Sequence, residues 1–183
     1  MSQIMATFWE RGFRNTSIDD LMAVTHLSRA SLYTAFGDKA AMFLKAMDRY
    51  VAGSFSRAWE ILNGDGDPRT RLTDLVTHWE KRLISSKGWG CLVVQTYIEF
   101  AHLSGPIAER IQIIIKQLRL DVQNTLTELL PGRRRNEYVR VSDYVVSALF
   151  SMHASARARS LPQHIRNIAD IHRRVIGALD QVL

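Results

Sequence analysis

The chain has 183 residues, of which 46% are apolar, 9% aromatic and 23% charged. These proportions suit a globular domain and exclude a disordered or disulfide-built chain. The single cysteine rules out an intrachain disulfide, and no apolar run approaches the roughly 18 residues a membrane span needs. Lys and Arg outnumber Asp and Glu by 24 to 18, a formal charge of +6. Residues 1–50 hold six basic against five acidic side chains, so charge alone does not direct a polyanion to that end.

Strand signals are scarce, and helical periodicity runs throughout. The first helix, about Ser2 to Arg11, carries Ile4, Met5, Phe8 and Trp9 on one face and ends at Gly12. It reads as part of the fold, not as a secretory leader, so the cytoplasm is the expected compartment. Thr16 or Ser17 can cap a second helix whose first turn holds Asp19 and Asp20, acidic groups that suit the positive end of a helix dipole. That helix runs to about Val24. Ser28 is the next available cap, which leaves Thr25, His26 and Leu27 as a three-residue turn. A third helix follows over about Arg29 to Ala35, ended by Gly37, and Asp38 caps a fourth. Ile18, Leu21, Leu27, Leu32 and Phe36 supply the apolar face of this unit. Arg29, Ala30, Ser31, Tyr33 and Thr34 face outward. Two short helices about a tight turn make a helix-turn-helix.

These residues resemble the tetracycline-repressor (TetR) family of bacterial one-component regulators. The similarity is carried by Phe8-Trp9-Glu10-Arg11-Gly12-Phe13, Thr16-Ser17-Ile18, Leu27 to Tyr33, and Phe36-Gly37-Asp38-Lys39 with Met42-Phe43. His26 departs from the family's turn glycine, and a non-glycine residue there costs on the order of 1 kcal/mol. Met22 stands where a small residue is usual. Family members usually carry a longer first helix and a basic arm before it, so the resemblance implies that this chain either has lost those DNA contacts or is numbered from an internal methionine.

The fourth helix is expected over 38–62 as one rod with a continuous apolar stripe. Asn63-Gly64-Asp65-Gly66-Asp67-Pro68 is the clearest break, and Pro68 suits the first turn of a helix reaching about Ser86. After Lys87-Gly88-Trp89-Gly90 come an apolar helix from Cys91 to Leu103, a long helix from Pro106 to Leu130, and a final pair over 136–160 and 162–182. In the first of the pair, Ser147, Ala148, Ser151 and Ala154 permit close approach. In the second, Ile165, Ile168, His172, Val175, Leu179 and Val182 form a near-heptad seam. By pattern alone the pair is either a dimer interface or an intrachain hairpin; the resemblance favours the dimer.

The expected fold is therefore all-α with about nine helices: a helix-turn-helix headpiece over 1–48, then a helical ligand-binding and dimerisation domain over 49–183. The resemblance implies groove-facing roles for Arg29, Ala30, Ser31 and Thr34, and phosphate contacts from Thr16, Ser17, Tyr33 and Lys39, with Ser28 beside them. Arg29 alternatively remains a solvated charge, and Tyr33 packs on the headpiece.

Trp59, Trp79, Leu83, Val94, Gln95, Ile98, Glu99 and His102 offer an apolar lining with a few polar groups for a small-molecule effector. Ordinary core packing is the competing reading. Glu99 and His102 also form an E-x-x-H. A di-iron carboxylate site needs a second copy of that motif, which the sequence lacks, so no metal or cofactor is expected. Cys91 is placed for redox sensing near a helix start, or is a buried inert thiol. The reading is a transcriptional repressor released from a palindromic operator by a small molecule or a redox signal. The alternative is a helical ligand-binding protein or enzyme that does not bind DNA.

Overall fold

A computed structural model describes residues 1–86 and 88–182, and leaves aside the side chain of Val182. Lys87 and the last position of the expected seam, Val182, thus lie outside the described side chains. Eleven helices and no strand are found among the described residues. They are α1 (Ser2–Arg11), α2 (Ile18–Thr25), α3 (Arg29–Phe36), α4 (Lys39–Ser54), α5 (Ser56–Leu62), α6 (Pro68–Ser85), α7 (Leu92–Phe100), α8 (Pro106–Leu129), α9 (Arg135–Arg157), α10 (Pro162–Gly177) and α11 (Leu179–Val182).

They form two compact units. The first comprises Met1–Phe55 with Cys91–Gln112, and the second Ser56–Gly90 with Ile113–Leu183. The first unit thus takes in α7 and the start of α8 as well as the amino-terminal segment.

In the first unit, α1 packs on α2 and α4, and α7 on α4. Ile4, Phe8, Leu21, Leu32, Met42, Phe43, Ala46 and Met47 are buried there. Aromatic rings dominate the centre. Phe8 meets Phe43 edge-on at 5.0 Å between centroids, and Phe13 meets Phe43 and Phe100 edge-on at 5.2 and 5.4 Å. Such edge-to-face pairs contribute roughly 0.5–1.5 kcal/mol each beyond the area they bury.

The expected rod over 38–62 is interrupted at Phe55, directly after Gly53-Ser54, the kind of pair at which helices bend. The apolar stripe persists across the break, which is why the sequence pattern did not reveal it.

In the second unit, α10 packs chiefly on α6 and also on α9. Arg69 on α6 donates to the carbonyls of Ile176 and Gly177 and to Asp180, so the end of α10 is capped by a cation 107 residues earlier. Those satisfied carbonyls let the helix stop at Gly177, splitting the expected 162–182 helix into α10 and α11. Arg71, 6% exposed, likewise donates to Leu62 O at the end of α5 and pairs with Glu128. Arg173 on α10 is held by Glu80 at 2.6 Å, and by Asp170.

The seam expected on α10 divides. Ile165 and Leu179 are buried within the chain, with Ala169 and Ile176, on the side toward α6. A neighbouring stripe is more open: Ile168 and Val175 are half-buried and Ile171 is 55% exposed. Two apolar stripes about a quarter-turn apart look like one near-heptad in sequence, because 3.6 residues per turn cannot be told from 3.5 over four turns.

Candidate nucleic-acid interface

Helices α2, α3 and α4 of the headpiece each begin where a side chain accepts from a free backbone N–H. Ser17 Oγ accepts from Asp20 N at 3.0 Å while the Asp20 carboxylate accepts from Ser17 N at 2.8 Å, a complete capping box. The backbone and hydroxyl bonds from Ser17, with Arg11 alongside, hold the Asp20 carboxyl below its ordinary pKa. Ser28 Oγ accepts from Ser31 N at 3.2 Å and opens α3; Asp38 accepts from Ala41 N at 2.7 Å and opens α4. Between α2 and α3, His26 takes the left-handed conformation, φ 58° and ψ 22°, and its N–H closes on Met22 O at 2.9 Å. The chain accepts the strain there that a glycine would avoid.

Leu32, fully buried, anchors α3, and this sets the opposite face toward solvent. Arg29, Ala30, Ser31, Tyr33 and Thr34 are all exposed. Arg29 and Tyr33, like Ala30 and Thr34, lie four residues apart and share that face. Ser17 and Ser28 are exposed at their caps. Lys39, half-buried at the first position of α4, lays its ammonium 4.4 Å from the Phe13 ring centroid.

Thr16 is placed differently from the surface position expected. It is fully buried and its hydroxyl donates to Gly12 O at 2.7 Å, so that side chain holds the α1–α2 loop instead of reaching a phosphate.

Two features of the face are not visible in sequence spacing. Arg29 is paired with Asp19 at 2.7 Å, with both side chains more than half exposed. An exposed pair of this kind is worth roughly 0–1 kcal/mol, so a phosphate or a base edge can displace the aspartate. The second feature is the grip of α7 on the α1–α2 loop. Gly12 has φ 83° and ψ 172°, a region essentially reserved for glycine, and a Cβ there would lie 2.5 Å from the Gln95 amide nitrogen. Glu99 pairs with Arg14 at 3.1 Å, and Phe100 meets Phe13.

The residues expected to line an effector cavity fall in both units. In the first, Val94 is buried and Gln95 and Glu99 are engaged by the headpiece loop. Ile98 is 66% exposed, and His102 lies exposed beyond the end of α7, so neither is enclosed in this structure. In the second unit, Trp59 is half-buried, Leu83 is buried, and Trp79 is buried edge-on to His153 at 4.7 Å. Leu83 also borders a cavity of about 450 Å³ with Ile84, Ala156, Arg159, Pro162 and Ile165. Cys91 occupies the N-cap of α7 and is 2% exposed. Among the described residues no group of three or more metal-ligating side chains comes together.

The sequence model describing bacterial regulatory proteins of the tetR family matches residues 1–46, from α1 into α4. The amino-terminal segment is thus similar to the helix-turn-helix region of the TetR family. The matched segment holds the helix-turn-helix of α2 and α3, and the family it resembles is one of regulators, not of enzymes. Among relatives, this chain is 26% identical over 100 residues to the HTH-type transcriptional regulator YezE of Bacillus subtilis, a match covering 54% of this chain and about half, 52%, of YezE. It is 24% identical over 158 residues to the transcriptional repressor BdcR of Escherichia coli, covering 86% of this chain and 77% of BdcR. Its fold is also that of solved TetR structures. SCO4454 of Streptomyces coelicolor superposes with a TM-score of 0.82 at 15% identity, over 96% of this chain and 89% of that one. A cysteine-substituted CifR bound to a 26-base-pair operator duplex superposes with a TM-score of 0.81 at 20% identity, over 94% and 92%. No helix among the described residues is long and apolar enough to cross a membrane.

Proposed function

We propose that this chain is a cytoplasmic, homodimeric transcriptional repressor of the TetR family that grips a palindromic operator and lets go when a small molecule binds its effector and dimerisation segment, residues 49–183. The exposed face of α3 carries this reading. Arg29, Ala30, Ser31 and Thr34 address base edges in the major groove, while Ser17, Ser28, Tyr33 and Lys39 contact phosphates. Two copies would set their α3 helices about one turn of DNA, roughly 34 Å, apart.

The second copy is held by α9 and α10. Supporting this are the open stripe of Ile168, Ile171 and Val175, the 76% exposed Leu161, and the small exposed Ser147, Ser151 and Ala154 on α9. The effector reading draws on the cavity beside Leu83, whose size lies within the roughly 300–1,000 Å³ of small-molecule sites. Trp59 and Trp79 of the same unit supply further effector contacts; Val94, Gln95, Ile98, Glu99 and His102 are candidate effector contacts within the first unit, taken by themselves. The release signal is a bound molecule and not direct oxidation of Cys91, because a thiol 2% exposed is poorly placed for attack.

Selection of duplexes from a random DNA pool tests the function. The expected product is an inverted repeat bound in a salt-sensitive manner, with Arg29→Ala relaxing sequence preference and Lys39→Ala weakening all duplexes alike. A pool that yields no enriched sequence refutes it.

A further inference from the structure

We infer that Phe13 is a positioning residue for DNA binding: its ring fixes the ammonium group of Lys39 at the start of α4, and α7 in turn fixes the ring. This rests on Lys39 contacting phosphate, as proposed above.

A lysine is a point charge on a flexible four-carbon stem, and an unsupported one must be ordered at the moment DNA arrives. Lys39 is not unsupported, since its Nζ sits over the face of Phe13 at 4.4 Å, well inside the range of a cation–π contact. The platform is itself held from several sides. Phe13 stacks on Phe8 of α1 at 6.3 Å and meets Phe43 of α4 and Phe100 of α7 edge-on.

The α7 contribution extends along the whole loop. Gln95 occupies the space that any side chain at residue 12 would need, Glu99 holds Arg14, and Phe100 abuts Phe13. Positions 95 and 99 share one helix face, and 100 is adjacent. Gly12, Phe13 and Arg14 are thus each matched by one α7 residue. A movement of α7 by about a contact distance shifts the ring, and with it the place where the cation waits. Lys39 is then the point at which the state of α7 reaches the operator.

The test is a double-mutant cycle on the full chain, with a duplex selected by the wild type as probe. Phe13→Leu keeps most of the apolar volume and removes the π face, and is expected to weaken binding about 2- to 5-fold. Phe13→Tyr restores it. Lys39→Met weakens binding and lowers the slope of log affinity against log salt by about one phosphate contact. In the Lys39→Met background Phe13→Leu has no further effect, and Phe100→Leu behaves as Phe13→Leu does in both backgrounds.

A second readout needs no DNA: in nuclear magnetic resonance spectra the Lys39 Hε signals lie upfield in the wild type and in Phe13→Tyr, and return to ordinary positions in Phe13→Leu. If Phe13→Leu costs as much without Lys39 as with it, Phe13 acts only as headpiece core and the inference fails. Lys39 signals unmoved by Phe13→Leu also overturn it, even for a variant of reduced stability. Unchanged affinity and salt slope for Lys39→Met removes the phosphate contact itself, whereas a silent Phe13→Leu beside a weakened Lys39→Met removes only the platform.

Discussion

His153 makes the second unit acid-sensitive by an amount that can be worked out. It sits on α9, 3% exposed and edge-on to Trp79, with Nδ1 lacking a hydrogen-bond partner. Burial first, and then the positive Arg82 on α6, pushes its pKa from 6.5 down to about 3. A depressed histidine pKa means that the unfolded chain takes up the proton more readily. Stability is complete above the unfolded value near 6.5 and is lost progressively as pH falls toward the folded value. Linkage with those two values gives a loss of about 2 kcal/mol between pH 7.5 and pH 5 from this one side chain. For a chain of this size that corresponds to a drop in Tm of roughly 4–8 °C. His153→Phe keeps a ring against Trp79 and cannot protonate. Denaturant unfolding of both proteins at pH 7.5 and pH 5, at one protein concentration, isolates the effect. His172, whose pKa burial also lowers, is present in both and cancels. The wild type is expected to lose about 2 kcal/mol more than the variant on acidification. Equal losses would show that the buried imidazole does not control the acid response.

Asp19→Asn releases Arg29 from its partner, so DNA affinity is expected to rise a few-fold with a steeper salt dependence in a filter-binding titration; unchanged binding would mean that the pair does not compete with DNA. Gly12→Ala forces a side chain into a glycine-only conformation and against Gln95, at a cost of about 1–3 kcal/mol, read as a lowered headpiece melting temperature. A neutral Gly12→Ala would show that α7 does not clamp the loop. Ile171→Glu places a charge on the open stripe of α10, and sedimentation at micromolar concentration is expected to show monomers where the wild type shows dimers. Treatment of the native protein with an alkylating agent is expected to leave operator affinity unchanged while Cys91 stays buried; loss of affinity on modification of Cys91 alone would reinstate it as a sensor.

The start of the chain was legible because its signals are local. Ser17, Ser28 and Asp38 each cap the helix that begins at the next residue by accepting from the N–H three residues downstream, His26 bends a turn fixed by its immediate neighbours, and Leu32 turns the opposite face of α3 outward. What lay hidden depends on partners far away in sequence. No spacing rule links Arg29 with Asp19 or Phe100 with Phe13. Nor does any periodicity distinguish the inner stripe of Ile165, Ala169 and Ile176 from the open one beside it. The break at Phe55 escaped for the opposite reason, since the apolar pattern on either side is the same. Thr16 and Ser17 are equivalent candidates by residue type, and only the fold of the α1–α2 loop buries one and exposes the other.

The division of the first unit between Met1–Phe55 and Cys91–Gln112 also has a consequence for how the protein is made. When residue 55 has left the ribosome, Phe13 and Phe43 still lack Phe100, and Arg14 lacks Glu99. The headpiece can form its helices at that stage, but its aromatic cluster closes only after the chain has built α5 and α6 and returned with α7. A nascent chain that ends before α7 therefore lacks the contacts that hold the α1–α2 loop, and those contacts are completed only when α7 has been made.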